Sequence, residues 1–464
     1  MVDLGKQVNA ALCDWGDAPT FLQVRRQEGT TSTLAGEFSR QIDETANQLS
    51  AWGIRKGHLV PIFLGNSTDF INIFLSLIRI GAIPVLAKLE YRSLELNEIF
   101  KNSEPAAVIT ENEHLPRLKP YLKDKIVVAR SGNRFSLIQS SEPKEPPKDL
   151  PDDIASINYT YRGYGYPLGA MISHAQYIHG ARVLQEGLQG AAGEKMLVIL
   201  PMAHIFTMVG CILVPLLYRM TSVIVDTMHP RLLFQYIREY RIEHVTSVPE
   251  IYELLYRLHD PSIDLSSLKV FVSGGSVLTP DSFSKIKRAF SIDLLHGYGL
   301  TEFTPVSRNM RSEARPGTVG PLCDQVACRI EAPAPDGTGE ILITTPHATG
   351  TYYRKPYESS QSHHGGWFKT GDMGRLEDGH LVFARELKST RKVNGNIVDL
   401  EEVARALRLD AEVSEAHVGW ESNSLSVRLG LRRSVDIEEK SKALKTSLRD
   451  LVAEYKIPKH FGRL

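Results

Sequence analysis

Nothing in the chain suggests a covalent staple, a strong electrostatic field or a membrane span. Its cysteines, Cys13, Cys211, Cys323 and Cys328, form no CxxC pair, and no histidine cluster stands beside them at zinc-ligand spacing. The His363-His364 doublet lies in a glycine-bounded turn and reads as a solvated loop. Lys plus Arg and Asp plus Glu number 54 each, so no net charge draws the chain to nucleic acid or to an anionic membrane. The most apolar run, Ile205 to Val225, is broken by Pro215, Tyr218 and Arg219. A spanning helix needs about 20 predominantly apolar residues, so this run is expected to be a buried helix leading into a strand. The start, Met1 to Gly5, carries Asp3 and no apolar core. The expectation is therefore a cytoplasmic protein with reduced thiols and no signal peptide.

What remains is an ordinary globular composition, 42% hydrophobic and 23% charged, in 464 residues, which is too long for one core. Short apolar runs alternate with helical patterns. Phe38, Ile42, Ala46 and Leu49 share a helical face, Leu59 to Leu64 reads as a strand, and Asn66 to Asp69 offers a helix cap. Further strands are expected at 106–110, 126–129, 196–200, 222–225, 244–248 and 270–273, which implies an α/β fold with parallel sheets. The proline-rich stretch Ser140 to Asp153 reads as an exposed connection. After Gly320 the pattern becomes shorter and β-like, and the segment from Arg385 onward reads as a small α/β domain. The expected division is 1–384 and 385–464.

The chemistry concentrates in His296-Gly297-Tyr298-Gly299-Leu300-Thr301-Glu302, after the strand Ile292 to Leu295. Glycines at a strand end let a ligand approach the backbone, where a Cβ would block it. Tyr298 offers a flat face for a purine, Thr301 a hydroxyl for phosphate, and Glu302 a hard oxygen for Mg²⁺. The same residues also suit a glycine-rich turn around a buried aromatic.

The string Tyr298 to Glu302 resembles the adenine-binding segment of the adenylate-forming superfamily, which includes acyl- and aryl-CoA synthetases. Other segments similar to that family follow its order: Ala51 to Ala82, Pro201-Met202-Ala203-His204, Ser273-Gly274-Gly275-Ser276, Pro316 to Gly320, and Gly366 to Asp372. The resemblance implies a large N-terminal domain of two packed α/β sheets with a β-subdomain, and a small mobile C-terminal α/β domain. It implies that Gly274, Gly275 and Ser276 pass close to adenine or acyl group, that Tyr298 stacks on adenine, and that Thr301 meets the α-phosphate. Glu302 would hold Mg²⁺, Asp372 and Arg385 would contact the ribose, His204 would lie near the acyl pocket, and Lys388 would mark a hinge. Asn394-Gly395 resembles the turn that approaches the pocket in the second step. Taken alone, Asp372 also suits a turn cap and Arg385 a surface salt bridge.

The chain departs from the family pattern in two places. Where the phosphate loop is expected, it reads Tyr159-Thr160-Tyr161-Arg162-Gly163-Tyr164-Gly165-Tyr166-Pro167-Leu168-Gly169, keeping Thr160, Gly165 and Gly169 but losing its usual hydroxyls and lysine. Arg162 is the candidate replacement charge. Tyr455 to Phe461 resembles the family's YKxPxxF segment, and the sequence ends at Leu464, before the later segment that carries the usual catalytic lysine.

The resulting expectation is ATP-dependent activation of a carboxylic acid, aryl or aliphatic, as its acyl-AMP. The acyl group would then pass to a thiol, coenzyme A or the phosphopantetheine of an acyl carrier protein. An amide-forming ligase using the same intermediate, or a non-catalytic nucleotide-binding relative, are the alternatives.

Overall fold

The protein is described from a computed structural model covering every residue except Met1, Asn133, Pro143, Thr227, Met228, Ser312, Lys388, Asn394, Ser422, Asn423 and 432–434. The expected hinge at Lys388 and the Asn394 half of the turn lie outside the described residues.

Two large sheets carry most of the chain. The first runs in the order Ser307–Arg308, Asp293–Tyr298, Val270–Ser273, His244–Ser247, Lys195–Val198, Thr221–Val225, Pro19–Arg25, Gly29–Leu34. The second runs Arg134–Gln139, Ile126–Ser131, Ala107–Glu111, Leu59–Phe63, Ile83–Leu86, Ile154–Thr160, Leu168–Ser173. Their interiors are parallel, as helix-separated strands require, but both edges of each sheet are antiparallel. The fully parallel expectation is corrected there. Short connections such as Arg26 to Glu28 leave no room for a crossover helix, so the chain turns straight back.

The helix Thr68–Arg79 shows how the sheets are joined. Ser67 Oγ accepts from the Phe70 amide at 3.2 Å, Asp69 stands in the first turn and Arg79 in the last. Every residue from Phe70 to Ile78 is buried. A helix apolar on all sides belongs in a core. It packs in one cluster with Phe21, Val198 and Ile224 of the first sheet and Ile62, Leu86 and Ile109 of the second. The run Ile205 to Val225 follows its expectation, as a helical segment to Tyr218 with a π turn at Met208–Leu213, followed by the strand Thr221–Val225. No helix among the described residues is long and apolar enough to cross a membrane, and all the cysteines are free.

After Gly320 comes a five-stranded antiparallel sheet containing Gly339–Thr344, Trp367–Glu377 and His380–Glu386. The C-terminal segment has its own core of Val403, Leu407, Leu429, Leu444 and Leu448, built on the helices Leu400–Leu407 and Ile437–Leu451 and the sheet Val413–Glu421, Ser424–Leu431, His460–Arg463.

Candidate active site

The first sheet gathers the site because its parallel strands end together. Ser273 pairs with His296, and Ser247 with Ser273, so Gly274-Gly275 and Gly297 leave the sheet side by side. The strand Lys195–Val198 ends four residues before Met202-Ala203-His204 at the same rim. Ligands in open α/β sheets bind beyond the carboxyl ends of such strands. At Gly275 φ is +82°, a conformation that favours glycine, and a Cβ on Gly274 would stand 3.1 Å from the Phe206 ring.

Two adjoining cavities open there. One, of about 590 Å³, runs between Gly275–Leu278, Gly317–Val319 and Phe383–Glu386, with Tyr298 and Arg385 on its wall. Its size lies in the range of small-molecule sites. The other, of about 110 Å³, is mostly apolar; Leu184, Met196, Val214 and Leu295 line it, with Thr160, His204 and Thr301 at its polar side. Gly275, His296, Gly297, Tyr298, Gly299 and Lys392 line both.

Tyr298 is buried, and its ring lies 6.0 Å from Phe383. Its hydroxyl donates to Asp372 Oδ2 at 2.6 Å; Asp372 itself is buried behind Tyr298 and lines neither cavity. Burial, then the Asp372 charge, pushes the Tyr298 phenol well up, so it stays a donor. His204 caps its helix through Nδ1, accepting from the Phe206 amide at 3.2 Å. Burial, helped by the Lys88 and Lys392 ammonium groups, pushes its pKa down to about 3. His296 is pushed down to about 4, again chiefly by burial, and its Nδ1 has no hydrogen-bond partner in the protein. Both imidazoles are neutral at physiological pH, available to hydrogen-bond but not to carry charge. Ser276 Oγ is likewise buried and unpartnered beside the larger cavity.

The altered loop is built differently from its expectation. Arg162 turns inward: NH1 donates to the Thr370 carbonyl at 2.9 Å and NH2 to the Lys369 carbonyl at 2.6 Å, and the guanidinium lies 4.8 Å from the Phe368 ring centroid. NH1 is also 4.0 Å from Glu302 Oε1, and both side chains are buried. Glu302 Oε1 accepts a hydrogen bond from the Tyr352 hydroxyl as well. A magnesium ion on Glu302 does not fit this donor set: one carboxylate, already bonded, faces a fixed cation. Among the described residues the sole close group of three metal-binding side chains is Glu111, Glu113 and His114, at the end of a second-sheet strand.

Gly165 and Gly169 line neither cavity. The Gly165 amide donates to Asp399 Oδ2 at 3.1 Å, at the start of the helix Leu400–Leu407. Gly169 pairs with Tyr159 inside the second sheet, where a Cβ would stand 2.7 Å from Ile157. Leu168, at the loop's usual lysine position, is fully buried in the apolar core.

Sequence reading missed Lys392, Lys88, Tyr352 and Lys456. Lys392 stands where the two cavities meet, and Lys88 donates to Asn396 Oδ1 at 2.7 Å beneath His204. Burial pushes Lys88 down to about 8. Lys456 is completely buried between the C-terminal segment and the body, donating to Glu95 at 2.8 Å, Glu402 at 2.5 Å and the Tyr161 hydroxyl at 2.8 Å. The sequence signal for it was the lysine in the motif Tyr455 to Phe461, whose partners lie far off in the chain.

Residues 14–353 match the model of the AMP-binding enzyme family. A peroxisomal OPC-8:0-CoA ligase of Arabidopsis thaliana is 26% identical over 440 residues, covering 87% of this chain and 80% of that protein. A feruloyl-CoA synthase of Amycolatopsis is 26% identical, over 78% of this chain and 75% of its own. Among solved structures, the amide bond synthetase McbA from Marinactinospora thermotolerans superposes with a TM-score of 0.84 at 21% identity, covering 100% of this chain and 96% of that one. Both of these curated relatives are CoA-ligating enzymes, and the fold is that of adenylate-forming enzymes. With glycine turns, a tyrosine–aspartate pair and two joined cavities at one sheet rim, and a family match over most of its length, the chain belongs to the AMP-binding enzyme family.

Proposed function

We propose that this chain is an AMP-forming acid–thiol ligase that activates a compact, uncharged carboxylic acid and passes the acyl group to coenzyme A. One observation carries the reading: a nucleoside-sized cavity and an apolar one share Gly275, Tyr298 and Lys392, as an acyl-AMP spanning both would require. Adenosine would occupy the larger cavity, with Ser276 as a polar partner and Arg385 at its rim, and Asp372, which holds Tyr298 from behind, would have to reach the ribose through its second oxygen. The acyl group would enter the smaller cavity, whose carboxylate end faces His204, His296, Thr301 and Lys392. A cavity of about 150 Å³ accepts a benzene ring, so the 110 Å³ available here suits a single ring or a short chain rather than a long fatty acid. Coenzyme A as acceptor is supported by the names of the curated relatives. The free thiols support a reducing compartment such as the cytoplasm. A boundary near Arg385, ahead of the separate C-terminal core, is proposed for the two domains.

Two measurements test this. Acid-dependent exchange between ATP and labelled pyrophosphate, over a panel of benzoic and short aliphatic acids, should reveal turnover with the compact acids. Calorimetric titration with AMP should show binding that Asp372→Ala weakens about 10-fold or more, the loss of a charged hydrogen-bond partner being worth about 1.5–3 kcal/mol. No exchange with any acid, together with AMP affinity unchanged in Asp372→Ala, refutes the proposal.

A further inference from the structure

We infer that Arg162 takes the place of a metal ion at Glu302, so that this protein binds its adenylate through a built-in guanidinium and without a divalent cation on that carboxylate. The inference rests on the nucleotide reading above and concerns how the same site is charged.

Glu302, on the wall of the smaller cavity, and Asp372, behind Tyr298, are both almost wholly buried. Carboxylates in such a position need positive charge nearby, because burial penalises an unpaired ion heavily. In this chain the charge comes from the loop itself. Arg162 stands at a position the family pattern gives to glycine, and glycine has no side chain to send inward. The guanidinium is not a loose surface group that happens to point this way. It is fixed at three sides, by the Thr370 carbonyl, the Lys369 carbonyl and the Phe368 ring, and it approaches Glu302 to 4.0 Å. Its pKa is raised: burial works against its charge, but Tyr352, Glu302 and Asp372 together outweigh that.

The coordination side agrees. Glu302 Oε1, the oxygen nearest the arginine, also accepts the Tyr352 hydroxyl. A divalent ion placed on this carboxylate would meet a guanidinium about one ion-pair length away, and like charges at that distance repel strongly in a buried site. Asp372, the neighbouring buried carboxylate, holds the Tyr298 hydroxyl through Oδ2 and is reserved for the ribose in the reading above, so it does not serve a metal. Arg162 also lines the apolar cavity beside Thr160, Thr301 and Glu302, where the α-phosphate of a bound adenylate would lie. A guanidinium suits that task, since its remaining N–H groups can meet phosphate oxygens directly.

The test uses AMP and manganese on the full chain. Wild-type AMP affinity should change less than twofold between excess Mg²⁺ and excess EDTA. Titrated Mn²⁺, followed by its paramagnetic resonance signal with and without AMP, should show no stoichiometric site in the wild type. Arg162→Gln, shown by its melting transition to be folded, should gain a manganese site with AMP present. Its AMP affinity should then become at least 10-fold dependent on Mg²⁺. Wild-type AMP binding that falls 10-fold in EDTA, or one manganese per chain that Glu302→Gln removes, overturns the inference. So does a folded Arg162→Gln that gains no metal site. If Arg162→Gln does not fold, the wild-type arms still decide the matter. Absence of AMP binding in every condition refutes the nucleotide reading instead, while manganese binding without AMP, compared between wild type and Glu302→Gln, continues to test the carboxylate.

Discussion

Tyr161 and Arg162 are neighbours in the chain, yet each enters a different buried charge network. Arg162 points toward the smaller cavity and counters Glu302 on its wall. Tyr161 also borders that cavity, but its hydroxyl donates to Glu402 Oε1 at 2.8 Å and accepts from Lys456, in a cluster that joins the C-terminal segment to Glu95 of the body. In the first network the cation lies in the altered loop. In the second the loop supplies only a phenol, and the cation comes from residue 456. One loop thus touches both the cavities and the seam with the C-terminal segment, so a change in seam position has a direct route to the candidate site. The difference in their composition also predicts different behaviour. The Arg162 site has one cation facing a carboxylate held by a neutral tyrosine, whereas Lys456 faces two carboxylates in full burial.

The largest expected effect comes from removing the seam cation. Lys456→Met leaves Glu95 and Glu402 buried without a counter-charge and should cost about 3–5 kcal/mol of stability, read from denaturant unfolding. A loss below about 1 kcal/mol would mean that the seam opens readily to water. The second effect is a pH dependence. Burial, only partly offset by Lys456, raises Glu402 to about 7, which lets one of the two carboxylates take a proton and leave a neutral ion pair. Because the folded value is above the unfolded one, this contribution is complete below pH ~4.5 and is lost as pH rises through about 7. Stability attributable to the seam should therefore fall by about 2–3 kcal/mol between pH 5 and 8, and Glu402→Gln should flatten that fall. A wild-type curve that rises over this range, or one unchanged by Glu402→Gln, contradicts the assignment.

A smaller effect separates the two networks directly. Tyr161→Phe removes the hydroxyl shared by Glu402 and Lys456 and should cost about 1–3 kcal/mol of stability while leaving AMP affinity within twofold. A large loss of AMP affinity would show that the seam and the nucleotide side act as one unit. The smallest effect expected is none at all: with His204 held down to about 3 and His296 to about 4, neither ring should titrate between pH 5.5 and 8 in histidine NMR spectra. A titration step from either ring would show that water reaches the inner wall.

Much of the fold was legible because its signals are local. A capped helix such as Thr68–Arg79, or a strand such as Asp293–Tyr298 with glycines at its end, announces itself within a dozen residues, and parallel pairing follows from the helices between strands. Part of the candidate site was legible for the same reason: Gly275, Tyr298 and Asp372 sit in short motifs, and folding brings the last two into one hydrogen bond. The antiparallel sheet edges were not, since an edge depends on which neighbour is missing. Nor was Arg162, whose sequence neighbours suggested a free charge for phosphate.

What the sequence determined by itself is the set of strands, their glycine-terminated ends and the tyrosine and carboxylates that those ends carry. Tertiary structure alone decided how the charges pair. Arg162 meets carbonyls 207 and 208 residues away, and Lys456 meets Glu95 across 361. An ion's partner is selected by burial, because a desolvated charge must find its opposite wherever folding has brought it. Chain spacing carries no record of that choice.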